Sequence, residues 1–150
     1  MSPADLKVLK AAKGRADDLD RAIDAISGGG NPNIRDEHNL TAFMWCARKG
    51  HVAIARVLLA AGADVEARDN MQRTAIHHAV LHRRTVFIDY LLSIGADTST
   101  LEMHGCSALD LALYDFGQIR TDPQIIPRLT AVRALAPKHP KHYDAATKCA

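Results

Sequence analysis

The chain has 150 residues, 47% of them hydrophobic and 24% charged, with a formal net charge of +2. That length suits one domain that buries its core without metals or disulfides, the composition is that of an ordinary globular protein rather than a disordered chain, and the charge is too small to imply nucleic acid by itself. No apolar run approaches the roughly 20 residues needed to span a bilayer, and MSPADLKVLK lacks the apolar core of a secretory signal, so a cytoplasmic location is expected.

In chain order, the first punctuation is GGG at 28–30. It lacks the spacing and lysine of a phosphate-binding loop and reads as a loose turn. Thr41 precedes a helix-favouring stretch, where its hydroxyl can accept a bond from an unpaired backbone N–H of the first turn. VAIARVLLAA follows as a second helix, with Val52, Ile54, Val57 and Leu58 at helical spacing, and Gly62 ends it. Thr74 opens the next helix, TVFIDYLLSI forms its partner through Val86, Ile88, Leu91 and Leu92, and Gly95 closes it. Ser107 repeats the capping position, with Asp110 placed to complete a short capping box. GQIRTDPQIIPR at 117–128 then inserts about ten residues, and Pro123 and Pro127 make it a loop rather than a continuing helix. From about residue 137 the chain reads as a tail, 137–150, in which His139 and His142 sit in a proline-punctuated basic stretch.

These elements recur at one offset. Sliding the sequence 33 residues along itself aligns Asp36 with Asp69, Thr41 with Thr74 and Ser107, and Ala42 with Ala75 and Ala108. The same shift aligns Leu58-Leu59 with Leu91-Leu92, Gly62 with Gly95 and Asp64 with Asp97. Coincidence of apolar and turn residues at a fixed period is the signature of stacked repeats.

The units resemble ankyrin repeats. DEHNLTAFMWCARKGHVAIARVLLAAGADVEAR (36–68) and DNMQRTAIHHAVLHRRTVFIDYLLSIGADTSTL (69–101) carry the pattern best, 102–136 is a looser unit, and about 6–35 resembles a terminal unit with Gly14 between its helices. The resemblance implies an all-α solenoid of helix-turn-helix units with short β-turn hairpins. Three departures bear on it. Alanine replaces the proline after each capping hydroxyl, and the motif histidine survives only as His77, with Met44 and Asp110 in its place elsewhere. Gly50-His51 becomes Arg83-Arg84, which puts the second inter-helix turn in question.

What the resemblance implies for function is a protein-binding module, an adaptor, inhibitor or regulatory subunit, acting through a concave surface of turn tips and first helices. Carried over by position, that surface holds Glu37, His38, Leu40, Trp45, Arg48 and Lys49, then Asn70, Met71, Arg73, His78, Leu81 and His82. Arg35 and Arg68 stand at the preceding strand ends, and the third unit adds Met103, His104, Cys106, Leu111, Tyr114 and Asp115. Trp45 reads either as an interface anchor or as packing between first helices. The arginines and Lys49 favour an acidic partner surface or form a solvated face.

Other classes have weaker signals. His78 and His82, four apart, share a helical face that could hold a metal, yet a third ligand is missing, so no metal or cofactor is expected. Cys46, Cys106 and Cys149 are too few and too scattered for a disulfide framework or a zinc site, and none has an orienting base. Enzymatic activity through groove histidines or a cysteine, and association with nucleic acid through Lys138, Lys141, Lys148 and the groove arginines, stand as the alternative readings. A monomer is expected.

Overall fold

Residues 1–14, 18–113 and 124–133 are described by the computed structural model, and Tyr114, Asp115, most of the 117–128 insertion and the 137–150 tail lie outside them. The described helices come in pairs: α1 (Pro3–Lys13) with α2 (Leu19–Ser27), α3 (Ala42–Lys49) with α4 (Val52–Ala60), α5 (Ala75–Leu81) with α6 (Thr85–Ser93), and α7 (Ala108–Leu113) with α8 (Ile125–Arg133). First helices pack on first helices, α1 on α3 on α5 on α7, and second helices form a parallel row, α2 on α4 on α6 on α8. The architecture is the all-α solenoid expected from the period.

Each pair begins where the sequence places a hydroxyl. Thr41 Oγ1 accepts from the Met44 N–H at 3.2 Å and Ser107 Oγ from the Asp110 N–H at 3.2 Å. The reciprocal bond comes from the third helical residue, and three chemistries supply it. His77 Nδ1 accepts the Thr74 N–H at 3.2 Å, Asp110 Oδ2 the Ser107 N–H at 2.8 Å, and Met44 Sδ the Thr41 N–H at 3.5 Å. Loss of the histidine thus leaves the box intact, strengthened by a carboxylate and weakened by a thioether. The alanines that replace proline, Ala42, Ala75 and Ala108, are buried against the core at 1% exposure or less.

Second helices close with paired bonds across their last turn. The Gly62 N–H donates to Leu59 O at 3.0 Å and the Ala63 N–H to Leu58 O at 2.9 Å, and Gly95 and Ala96 repeat this on Leu92 and Leu91. This arrangement needs a left-handed residue at the glycine, whose φ is 90° at Gly62 and 78° at Gly95. The core is a continuous seam of one side chain after another, including Val8, Phe43, Ile54, Leu58, Ile76, Phe87, Ile88 and Leu91. Phe43 and Phe87 meet edge to face with centroids 5.9 Å apart, tying adjacent units together.

Three local expectations change. Val86 is 71% exposed, and Phe87, the residue 33 beyond Ile54, is buried instead. The helical-spacing count therefore started one residue early. The GGG turn is open at Gly28 and Gly29 but closes tightly at Gly30, where a Cβ would lie 2.7 Å from both Ala25 O and Val8 Cγ2. Pro127 lies inside the first turn of α8, where backbone N–H groups have no helical partner and proline costs little, so the end of the insertion is helical. Cys46 and Cys106 are both buried, at 0% and 1% exposure, so neither offers a thiol at the surface.

The turn questioned at Arg83-Arg84 is kept. Arg83 takes φ 55°, the left-handed conformation that Gly50 holds at 85° in the preceding unit. A side chain there costs roughly 1 kcal/mol relative to glycine. Arg84 takes over a structural task from the histidine it replaces. His51 Nε2 donates to Gly14 O at 3.1 Å, and Arg84 Nε donates to Arg48 O at 2.9 Å, each reaching back to the carbonyl end of the preceding unit's first helix.

Candidate functional site

The turn that precedes each first helix is organised by one carboxylate. Asp36 Oδ1 accepts the His38 and Leu40 N–H groups, both at 3.0 Å, and Asp69 Oδ1 accepts those of Met71 (2.8 Å) and Arg73 (2.9 Å). Glu102 Oε1 does the same for His104 at 2.8 Å and Cys106 at 3.4 Å. The turn also requires a left-handed residue, and Asn39, Gln72 and Gly105 supply it at φ 62°, 60° and 78°. Backbone bonds from Asp36 to Leu40, Asp69 to Arg73 and Glu102 to Cys106 close the hairpins, and an antiparallel bridge joins Arg35 and Thr41.

The second carboxylate oxygen reaches the first helix nine residues on. Trp45 Nε1–H donates to Asp36 Oδ2 at 2.8 Å, and His78 Nε2, which must carry the proton, lies 2.9 Å from Asp69 Oδ2. Lys13 from the terminal unit completes the first of these with an ion pair to Asp36 Oδ2 at 2.8 Å. Burial pushes the Asp36 carboxyl up, but the bonds from Lys13, Trp45 and the Leu40 and His38 backbone outweigh it and bring its pKa down to about 2. Burial is likewise overcome at Asp69 by the His78 contact and the Arg73 and Met71 N–H groups, leaving it below the ordinary carboxylate value. His77 behaves oppositely, because burial dominates over the Cys106 and Thr100 backbone groups and lowers its pKa to about 4.

Adjacent turns are stitched by side chains at repeat-equivalent places. Arg35 Nη1 donates to Arg68 O at 2.8 Å, Asn33 Oδ1 accepts the Asp64 N–H at 2.7 Å, and Glu66 Oε1 accepts the Asp97 N–H at 2.8 Å. The Met103 N–H donates to Met71 O at 2.8 Å. The tips are therefore held in fixed relative positions before anything binds.

On this frame the residues named from sequence divide. Arg35, Glu37, His38, Lys49, Arg68, Asn70, His82, Met103 and His104 are exposed, and Trp45, Arg48, Met71, Arg73, Leu81 and Leu111 are half-buried. Leu40 and His78 are corrected: both are buried, Leu40 against Met44 and Ala67, His78 on Asp69, so neither is on offer to a partner. Cys106 is buried as well. Trp45 turns out to be neither simple core nor free anchor. Its ring carries the Lys13 ammonium at 4.9 Å and the Arg48 guanidinium at 4.5 Å, a cation-π stack with its N–H already spent on Asp36. Because His78 Nε2 is committed to Asp69, the His78/His82 pair is broken up as a metal site, and no cluster of three candidate ligands occurs among the described residues.

Reading by position missed Asp36, Asp69 and Glu102 as the turn organisers, together with Lys13 and Arg84. Asp36 and Asp69 were detectable as a period-33 pair, each with a donor nine residues downstream, and Glu102 by the period alone; Lys13 had no such signal, since its contact crosses from a unit with little pattern.

A family model for ankyrin repeats in three copies matches residues 9–102. The chain belongs to the ankyrin repeat family. It is 29% identical over 111 residues to Protein glp-1 of Caenorhabditis elegans, covering 71% of this chain and 9% of that protein. Identity is 36% over 66 residues to Putative ankyrin repeat protein FPV244 of Fowlpox virus, covering 44% of this chain and 10% of that one. A third relative, Palmitoyltransferase ZDHHC17 of Homo sapiens, is 40% identical over 74 residues, 48% of this chain and 12% of that protein. The chain thus spans about a tenth of each relative's length, and acyl transfer is a property of the protein that carries that name. Ankyrin repeats are generally protein–protein interaction modules. No helix among the described residues is long and apolar enough to cross a membrane.

Proposed function

We propose that this ankyrin stack is a non-catalytic protein-binding module, an adaptor, inhibitor or regulatory subunit that acts as a cytoplasmic monomer without a cofactor. The observation that carries the reading is the stitched row of turn tips. Glu37 and His38, Asn70 and Met71, and Met103 and His104 stand at equivalent places, while the carboxylates beneath them are used up internally. A partner meeting such a row pays little ordering entropy, since loop positions are set in advance. Met103, 58% exposed at the third tip, adds apolar area, and Arg35, Arg48, Lys49, Arg68 and Arg73 bias the surface toward an acidic partner.

The test uses exposed side chains that hold nothing in place. Wild type and a His38→Ala, Asn70→Ala, Met103→Ala variant are each cross-linked in native lysate and their partners quantified by mass spectrometry, with helicity checked by circular dichroism. Loss of the same specific partners by the folded variant is expected. Equal recovery by both proteins would overturn the proposed surface.

A further inference from the structure

We infer that the edge where the inner helices end, formed by Arg48, Lys49, His82 and Arg84, recognises an acidic peptide segment of the partner protein. This rests on the protein-binding reading above, but it assigns the occupant's chemistry and places it at the inter-helix edge, away from the turn tips. α3 ends in Arg48-Lys49, α5 is capped by His82, and Arg84 follows on the same edge. Arg84 is drawn across the unit boundary by its bond to Arg48 O, so that its side chain covers Gly50, where an added Cβ would lie 3.3 Å from Arg84 Cδ. Four cationic or protonatable side chains from two units are thereby brought to one edge.

Among the described residues their charges are not matched. Lys13, which shares the Trp45 ring with Arg48, is neutralised by Asp36, but no carboxylate comes within ion-pair reach of Arg48, Lys49 or Arg84 among the described residues. On the neighbouring elements Asp89 of α6 is engaged by Arg128 and Asp110 of α7 by Ser107. His82 registers the imbalance: burial first, then Arg48, His78, Arg84 and Lys49 all oppose its protonation. Such a group of like charges repels itself and is relieved by an incoming carboxylate. Two of its members are also pre-positioned, Arg48 by stacking on Trp45 and Arg84 by its hydrogen bond, which reduces the entropy lost on binding.

The patch suits a short acidic peptide better than nucleic acid. Its charge is local, the net charge of the whole chain being only +2, and the ladder at Asp64, Glu66 and Asp97 on another edge would repel a long polyanion.

The isotope-labelled full chain is titrated at low salt with a short peptide of alternating Glu and Gly, with its Gln-for-Glu counterpart, and with oligothymidylate. Amide shifts centred on residues 48–49 and 82–84 with the Glu peptide alone are expected. Lys49→Glu, which removes no internal contact, should weaken binding about tenfold, and the His82 titration midpoint should rise on binding. His82→Asn should abolish the part of the affinity that grows as pH falls. Shifts confined to the tips at 37–39, 70–72 and 103–105 would overturn this inference and leave the protein-binding reading standing. A response equal to that of the Gln peptide, no response at all, or tighter binding of oligothymidylate at the same residues would overturn it as well.

Discussion

Asp36 and Asp69 begin two turns of the same plan, each accepting two backbone N–H groups on one oxygen and a first-helix donor on the other. The first turn uses an indole and adds a lysine from the terminal unit; the second uses a histidine with a second, buried histidine beside it. Geometry is thus a property of the repeat position, whereas response to acid depends on which donor fills it. An indole N–H does not titrate in the range over which His77 and Asp36 change charge.

The largest expected effect breaks the first turn. Asp36→Ala leaves two turn N–H groups, the indole and Lys13 without their acceptor and should cost about 3–4 kcal/mol. Asp69→Ala should cost about 2–3 kcal/mol, because it strands one side-chain donor where Asp36→Ala strands two. Urea denaturation measures both, and equal losses would remove the asymmetry. Lys13 makes a further difference visible, since only Asp36→Ala should loosen α1 and α2 in hydrogen exchange.

Acid should attack the two units in sequence. His77 titrates near 4 in the folded chain against an ordinary 6.5, so the unfolded chain binds its proton first. Its contribution is complete above pH 6.5 and is lost as pH falls toward 4, by about 3 kcal/mol at most. Asp36, lowered from 3.8 to about 2, stabilises the fold above pH 3.8, and that share is lost as pH falls toward 2, about 2 kcal/mol in all. Denaturation curves at successive pH values should therefore show His77→Asn flattening only the milder step. A variant that follows wild type throughout that step would contradict the ordering.

Trp45→His grafts the second unit's donor onto the first turn. It should cost about 2 kcal/mol at neutral pH through lost burial and stacking on Lys13 and Arg48. Its dependence on pH should become that of a histidine-anchored turn, read by hydrogen exchange at residues 36–40. The smallest effect has the opposite sign. Gln72→Gly relieves a left-handed glutamine, at the place where the third turn has Gly105, and should raise stability by about 0.5–1 kcal/mol, seen as a higher urea midpoint.

Much of this was legible in the primary structure. Thr41, Thr74 and Ser107 announce the first helices, Gly62 and Gly95 end the second ones, and the 33-residue offset places Phe87 in the core where counting apolar residues from Val86 does not. The surface was legible in part. Glu37, His38, Asn70, Met103 and His104 are exposed as their positions imply, but Leu40 and His78 are withdrawn by a neighbouring core and by a carboxylate. Leu40 has no local signal of its withdrawal, because Ala67 comes from another unit; His78 had one only in the acid nine residues before it, a spacing that Asp36 and Trp45 repeat.

The sequence by itself determined the period, the caps and the pairing of helices, since these follow from residues within a few positions of one another and repeat wherever the pattern repeats. Only the tertiary structure decided that Lys13 would neutralise Asp36, that Trp45 would lie beneath two cations, and that Arg84 would reach Arg48. Those contacts join neighbouring units across sequence separations of 23 residues or more, or join side chains whose direction is set by packing, and a repeat period carries no information about either.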